Sequence, residues 1–225
     1  MDAPPPYPRV AHLIAGRGTS DDVEADPASI SALLAGEIVV EEKLDGANVV
    51  VWPDGSRLDC ALRSGPGATD RARQLGPLRA WVAEHADALR GLLGGDTALY
   101  GEWLLLTHSV AYDRLPAYLV ALDLWSPTDG FVPVEERNAR CAAVGITTPP
   151  ERWRGRASSG TEVEVRLGPS AYGNGLAEGI VVRAIDGRPP RLAKLLRAGF
   201  DRVGDDEWRS GRPRNRLAVG ATSWR

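Results

Sequence analysis

The chain has 225 residues, 43% hydrophobic and 25% charged, with a formal net charge of -3. That is material for one well-buried domain, and it excludes both a disordered polyelectrolyte and a surface that is basic all over. Cys60 and Cys141 stand alone without metal-type spacing, which fits a reducing compartment, excludes a structural zinc site and leaves a disulfide between them open.

The opening MDAPPPYPRV lacks the basic start and apolar core of a secretory signal, and no apolar run reaches membrane-spanning length, so the expected location is the cytoplasm with no membrane partner. Residues 1–27 are rich in Pro, Gly and Asp and read as an irregular lead-in. ASISALLAG follows as a short helix ending at Gly36. EIVVEEKLDGANVVVW carries two β-branched runs around Asp45-Gly46, the pattern of a strand, a tight connection and a second strand, with Lys43 at the turn facing a cleft. From Thr69 to Leu93 apolar residues recur at helical spacing, and Gly76-Pro77 predicts a break between a short helix and a longer one. TALYGEWLLL, AYLVALDLW, LAEGIVVRAI and RLAKLLRAGF read as strands, VPVEERNARCAAVG as a helix ending at Gly145, and TPPERWRGRASSG as a polar loop. Strands in runs with helices between them, and no regular alternation, predict an α+β fold with largely antiparallel sheets.

Only two lysines, Lys43 and Lys194, stand against 25 arginines. A guanidinium keeps its proton at any working pH, whereas an amine can lose it and attack an electrophile, so the two exceptions point to chemistry that needs an ε-amino group.

EEKLDGANVVV resembles the nucleophile motif of the covalent nucleotidyltransferases, whose pattern is Lys, any residue, Asp or His, Gly. ALRSG, YGEWLLLTHSVAYDRLPAYLVALDLW, EGIVVR and AKLLR are similar, in the same order, to the remaining motifs of that superfamily. Asn48, five residues after Lys43, narrows the resemblance to ATP-dependent RNA ligases like bacteriophage T4 RNA ligase 2. It covers roughly Ile38 to Phe200. It implies a nucleotidyltransferase domain over 28–200 with an ATP cleft between its sheets, ATP and Mg²⁺ or Mn²⁺ as cofactors, and RNA as partner. It also implies roles: Lys43 as nucleophile toward the α-phosphorus of ATP, Glu178 near the metal and the lysine, and Lys194 on the phosphates. Glu102 would meet the ribose, Asn48 a metal-bound water or the phosphate, Arg63 a phosphate or the ribose, and Glu42 is the acid preceding the lysine. For Lys43 to react its pKa must fall, and the expectation is that Lys194, a bound metal and burial lower it.

Two departures stand out. The family's second lysine in the last motif is Leu196 here, so the phosphate contact passes to Arg197 or is absent. The adenine-stacking ring is replaced by aliphatic Val120 and Leu122. His108 and Asp113 are expected to fix their loop or line the site. The stretch after Arg197 leaves no room for an OB-fold, so residues 201–225 read as an Arg-rich tail, with Arg209, Arg212, Arg214 and Arg216 either contacting phosphates or disordered. An accessory protein for holding ends, a small DNA ligase, and a binding protein that has lost catalysis are the alternatives left open.

Overall fold

The structure, a computed structural model, describes residues 3–16, 23–63, 68–185, 191–200 and 212–221. In chain order the elements are β1 (Ala11–His12), α1 (Pro27–Leu34), β2 (Ile38–Lys43), β3 (Ala47–Asp54), β4 (Arg57–Leu62), α2 (Ala68–Glu84), α3 (Ala86–Leu93), β5 (Ala98–Trp103), β6 (Leu119–Ser126), β7 (Gly130–Phe131), α4 (Val134–Ala143), β8 (Glu151–Gly155), α5 (Gly160–Glu164), β9 (Gly179–Ala184) and β10 (Leu192–Leu196). They build two five-stranded sheets, ordered β1-β10-β9-β2-β8 and β4-β3-β5-β6-β7. Every described pairing between these strands is antiparallel except β1 with β10, so the α+β expectation holds.

Strand periodicity decides which residues meet, because successive side chains point to opposite faces. In the first sheet Lys43 is opposite Gly179 and Glu41 opposite Val181, which is in turn opposite Lys194. These share one face. The other face carries Ile38, Val40, Ile180, Val182, Ala193 and Leu195, packed with Leu33 of α1 and Val163 of α5 into one apolar core. In the second sheet Val49, Val51, Leu99, Trp103, Leu119 and Ala121 pack with Leu78, Trp81, Leu89 and Leu93 of α2 and α3. Asn48, Tyr100, Glu102, Val120 and Asp123 occupy its opposite face by register. The polar faces of the two sheets bound one cleft.

Three local expectations need correction. Asp45-Gly46 is not a hairpin turn, since β2 and β3 lie in different sheets and the segment carries the chain from one to the other. The hairpin comes one strand later, where β3 pairs with β4 across Gly55, whose φ of 58° suits glycine. Helix α2 runs through Gly76-Pro77 and breaks only at His85. A helix-interior proline costs about 3 kcal/mol, but buried Leu78, Trp81 and Val82 each return about 1.5–3 kcal/mol. The polar run around Trp153 contains β8, an edge strand whose Trp153 packs on the first core.

The first and last described segments join the core. Tyr7 packs against Tyr100 and Phe131, and its hydroxyl bonds Asp123. Residues 212–221 form a strap along the loop between β5 and β6, and Asn215, 2% exposed, is its peg. Its Oδ1 accepts from the Thr107 hydroxyl (2.8 Å) and the Tyr112 N–H (2.9 Å), while Nδ2 donates to the carbonyls of Leu104 (2.8 Å) and Leu106 (3.2 Å). Arg209 lies outside the described residues. Cys60 and Cys141 are free, buried thiols, each pushed up to about 11 by burial.

Candidate active site

Lys43 is the last residue of β2, placed where the chain leaves the first sheet for the second. The crossing is tight: a Cβ on Gly46 would lie 2.6 Å from the Trp103 carbonyl oxygen and 2.7 Å from Leu104, so only glycine lets the backbone pass β5. The Gly46 N–H then donates to Glu102 Oε1 at 3.0 Å. Asp45 is fixed from both sides. Its N–H donates to the Tyr112 hydroxyl (2.8 Å), and its Oδ2 accepts from the backbone N–H groups of Ser109 (2.5 Å) and Val110 (2.7 Å).

The Lys43 ammonium donates to Glu178 Oε2 at 2.6 Å, and the Lys43 side chain keeps 21% exposure against 2% for Glu178. Burial alone would lower the Lys43 pKa. The carboxylates of Glu178, Glu102 and Asp45 outweigh it and hold the pKa above the usual lysine value. The expected depression is therefore not a property of the unliganded cleft. Glu102 is raised as well: burial, then Glu178 and Asp45, push it up to about 7 against the opposing pull of Lys43.

Three acids crowd one ammonium, which is an excess of negative charge. Among the described residues no trio of His, Cys, Asp or Glu forms a ready metal cage. The donor set fits a hydrated divalent cation better, since Mg²⁺ keeps several waters and uses only one or two carboxylates. Asn48 supports that reading. It lies opposite Glu102, its Nδ2 reaches the Gly101 carbonyl at 3.4 Å, and its Oδ1 is buried with no hydrogen-bond partner. A buried bare acceptor awaits a donor such as a metal-bound water. Val181, half-buried between Glu41 and Lys194 on the same face, gives apolar surface. Val120, opposite Glu102, is fully buried in the packing between the sheets, and Leu122 is half-buried.

The structure gathers Lys43, Glu178, Glu102 and Asn48, and it places buried Lys194 on the same sheet face as Lys43. It does not bring in Glu42. Adjacent strand residues face opposite ways, and the Glu42 carboxylate accepts from Ser170 Oγ (2.6 Å), the Ala171 N–H (2.8 Å) and Arg152 (3.1 Å), so it secures the 170–171 turn. Arg63 is exposed at the end of β4, its N–H donating to the Asn48 carbonyl at 2.9 Å. Leu196 is sealed among Leu44, Leu104 and Phe200, while Arg197 lies on Phe200 and donates its N–H to the Glu178 carbonyl at 3.0 Å.

Sequence reasoning passed over Asp45, although it is the acid of the lysine motif. It also passed over the ion cluster two residues deeper in the cleft. There Glu41 bonds Arg183 (2.7 Å) and Arg137, and Arg183 bonds both oxygens of Asp123 (2.8 and 3.0 Å). All four are buried, and two carboxylates balance two guanidinium groups. His108 is pushed down to about 4 by burial, against Asp45, with Arg212 and Lys43 adding to the depression, so it is neutral at pH 7.

The RNA ligase family profile matches residues 36–196. A comparison with curated proteins finds no match. Among solved structures, a Naegleria gruberi RNA ligase variant with ATP and Mn is similar at 16% identity and a TM-score of 0.53, covering 86% of this chain and 61% of that one. The Naegleria gruberi RNA ligase with PPi gives 18% identity and a TM-score of 0.54, with the same coverage. The chain thus spans 61% of the length of these structures.

Proposed function

This chain belongs to the RNA ligase family, and on that premise we propose that it is an ATP-dependent RNA ligase joining 5′-phosphate and 3′-hydroxyl ends. The observation that carries the reading is the Lys43 amine, part-exposed at the cleft and 2.6 Å from Glu178. The similar structures solved with ATP and Mn support ATP and a divalent cation as its cofactors.

Lys43 Nζ attacks the α-phosphorus of ATP, an N–P bond forms and the bond to pyrophosphate breaks. The proton it must first lose has Glu178 within reach. A divalent cation, when bound, supplies positive charge that offsets the carboxylates and the departing pyrophosphate. Glu102 offers acceptors to the ribose hydroxyls, Val181 lies under the base, and Lys194 meets the phosphates. AMP then passes to a 5′-phosphate oxygen as the N–P bond breaks and Lys43 regains its proton. A 3′-hydroxyl next attacks the 5′-phosphorus and AMP leaves. The substrate in this reading is RNA, joined in cytoplasmic repair.

Incubation with α-labelled ATP and Mg²⁺ tests the first step. The label should stay on the denatured protein and map to Lys43, and Lys43→Arg should lose it without losing the fold, because charge is kept and the nucleophile is not. A folded, metal-supplied protein that takes no label sinks the reading. Comparing 3′-ribose with 3′-deoxyribose ends separates RNA from DNA joining.

A further inference from the structure

The strap supplies a surface that the steps above do not use. Asn215 is turned inward and spends its hydrogen-bonding groups on the β5–β6 loop, so its neighbours are turned outward. Arg214 and Arg216 are exposed on either side of it. Backbone bonds lock the same segment: Thr107 N–H to the Pro213 carbonyl (2.9 Å), Asn215 N–H to the Leu105 carbonyl (2.9 Å) and Arg216 N–H to the Tyr112 carbonyl (2.9 Å). In extended chain the two guanidinium stems leave the backbone about 6.6–6.8 Å apart. Neither side chain forms an ion pair with a described residue, and the acid nearest in sequence within the loop, Asp113, is held by Arg114 and Asn174.

The strap begins at the rim of the active site. Arg212 Nη1 donates to the Thr107 carbonyl at 3.2 Å, and Ser109 and Val110, two and three residues on, hold Asp45 beside Lys43. A fixed, outward cationic row leading to a nucleophile, on a chain of net charge -3, is complementary to a polyanion and to little else.

We infer that Arg214 and Arg216 form a landing track for the phosphate backbone of the RNA strand whose end enters the cleft. The inference rests on the proposed ligase reading for the identity of the strand. Phosphate contacts of this kind set orientation and affinity without reading sequence, and they appear as salt dependence.

The test compares the wild-type chain with R214A/R216A and R214K/R216K, measuring affinity for a short 5′-phosphorylated single-stranded oligoribonucleotide across salt concentrations. Loss of two contacts should flatten the slope of log affinity against log salt by about 1.4, so that between about 50 and about 200 mM salt the wild type loses about sevenfold more affinity than the alanine variant. The lysine variant should keep most of the slope. Labelling of Lys43 by ATP alone, measured in parallel, should match wild type. Equal slopes overturn the track, as does a wild type without salt-dependent binding. A parallel fall in Lys43 labelling overturns it too, by assigning the arginines to the scaffold. Absent labelling with an arginine-dependent slope defeats the ligase reading and leaves the track as a polynucleotide-binding surface.

Discussion

At Lys43 the nucleophile's charge is set by its neighbours. Burial favours the free amine, yet three carboxylates hold the proton, so the unliganded protein stores the residue in its unreactive form. Glu102 pays for this arrangement, its pKa raised to about 7. A carboxyl raised in the folded state binds more protons there than in the unfolded chain between about 4.5 and about 7. Its stabilising contribution is present below that window and is lost as pH climbs through it. Glu102→Gln in metal-free buffer should therefore gain on wild type between pH 5 and pH 8, on the order of 2–3 kcal/mol, read from urea midpoints at the two pH values. Lys43 itself was legible because lysine is scarce and because its motif neighbours are in order. The direction of its pKa was not, since that depends on carboxylates contributed by β5 and by the segment before β9, which sequence spacing does not bring together. Glu42 shows the limit within one strand: a motif position names a residue, but pleat parity decides whether it sees the cleft.

Among the elements, the long buried strands were readable from β-branched runs, and the departures share one cause. Tertiary packing overrides local signals: buried Leu78, Trp81 and Val82 carry α2 through Pro77, and Trp153 recruits an Arg-rich stretch as an edge strand. The strap was the hardest to read. A lone Asn in an Arg-rich tail gives no periodic signal, and its importance comes from four side-chain hydrogen bonds to a loop about a hundred residues earlier. Asn215→Ala would leave the Leu104 and Leu106 carbonyls and the Tyr112 N–H unpaired. We expect a loss of about 2–4 kcal/mol, seen as a lower urea midpoint at unchanged m value. Because the same loop grips Asp45, the variant should also adenylylate Lys43 more slowly at saturating ATP.

For the molecule as a whole, the two sheets are joined by charge as well as by apolar packing. Glu41 and Arg183 come from the first sheet, Asp123 from the second, Arg137 from α4, and Tyr7 from the N-terminal segment. Removing one member strands the others in a low-dielectric setting. Asp123→Ala, which takes both partners from one edge of the Arg183 fork, should cost about 3–5 kcal/mol by denaturant titration, and Asp123→Asn less.

That cluster also dictates how the molecule can yield. Glu41 sits two residues inward of Lys43 on the same face, so the deep end of the cleft is pinned by groups that cannot separate without stranding bare charge, while just past Lys43 the chain itself crosses to the second sheet and Leu44 packs with Leu104, Val120 and Leu196. Both ends of the β2 face are thus tied to the second sheet, one by ions and the other by the backbone, so the cleft is a cast mould and not a jaw.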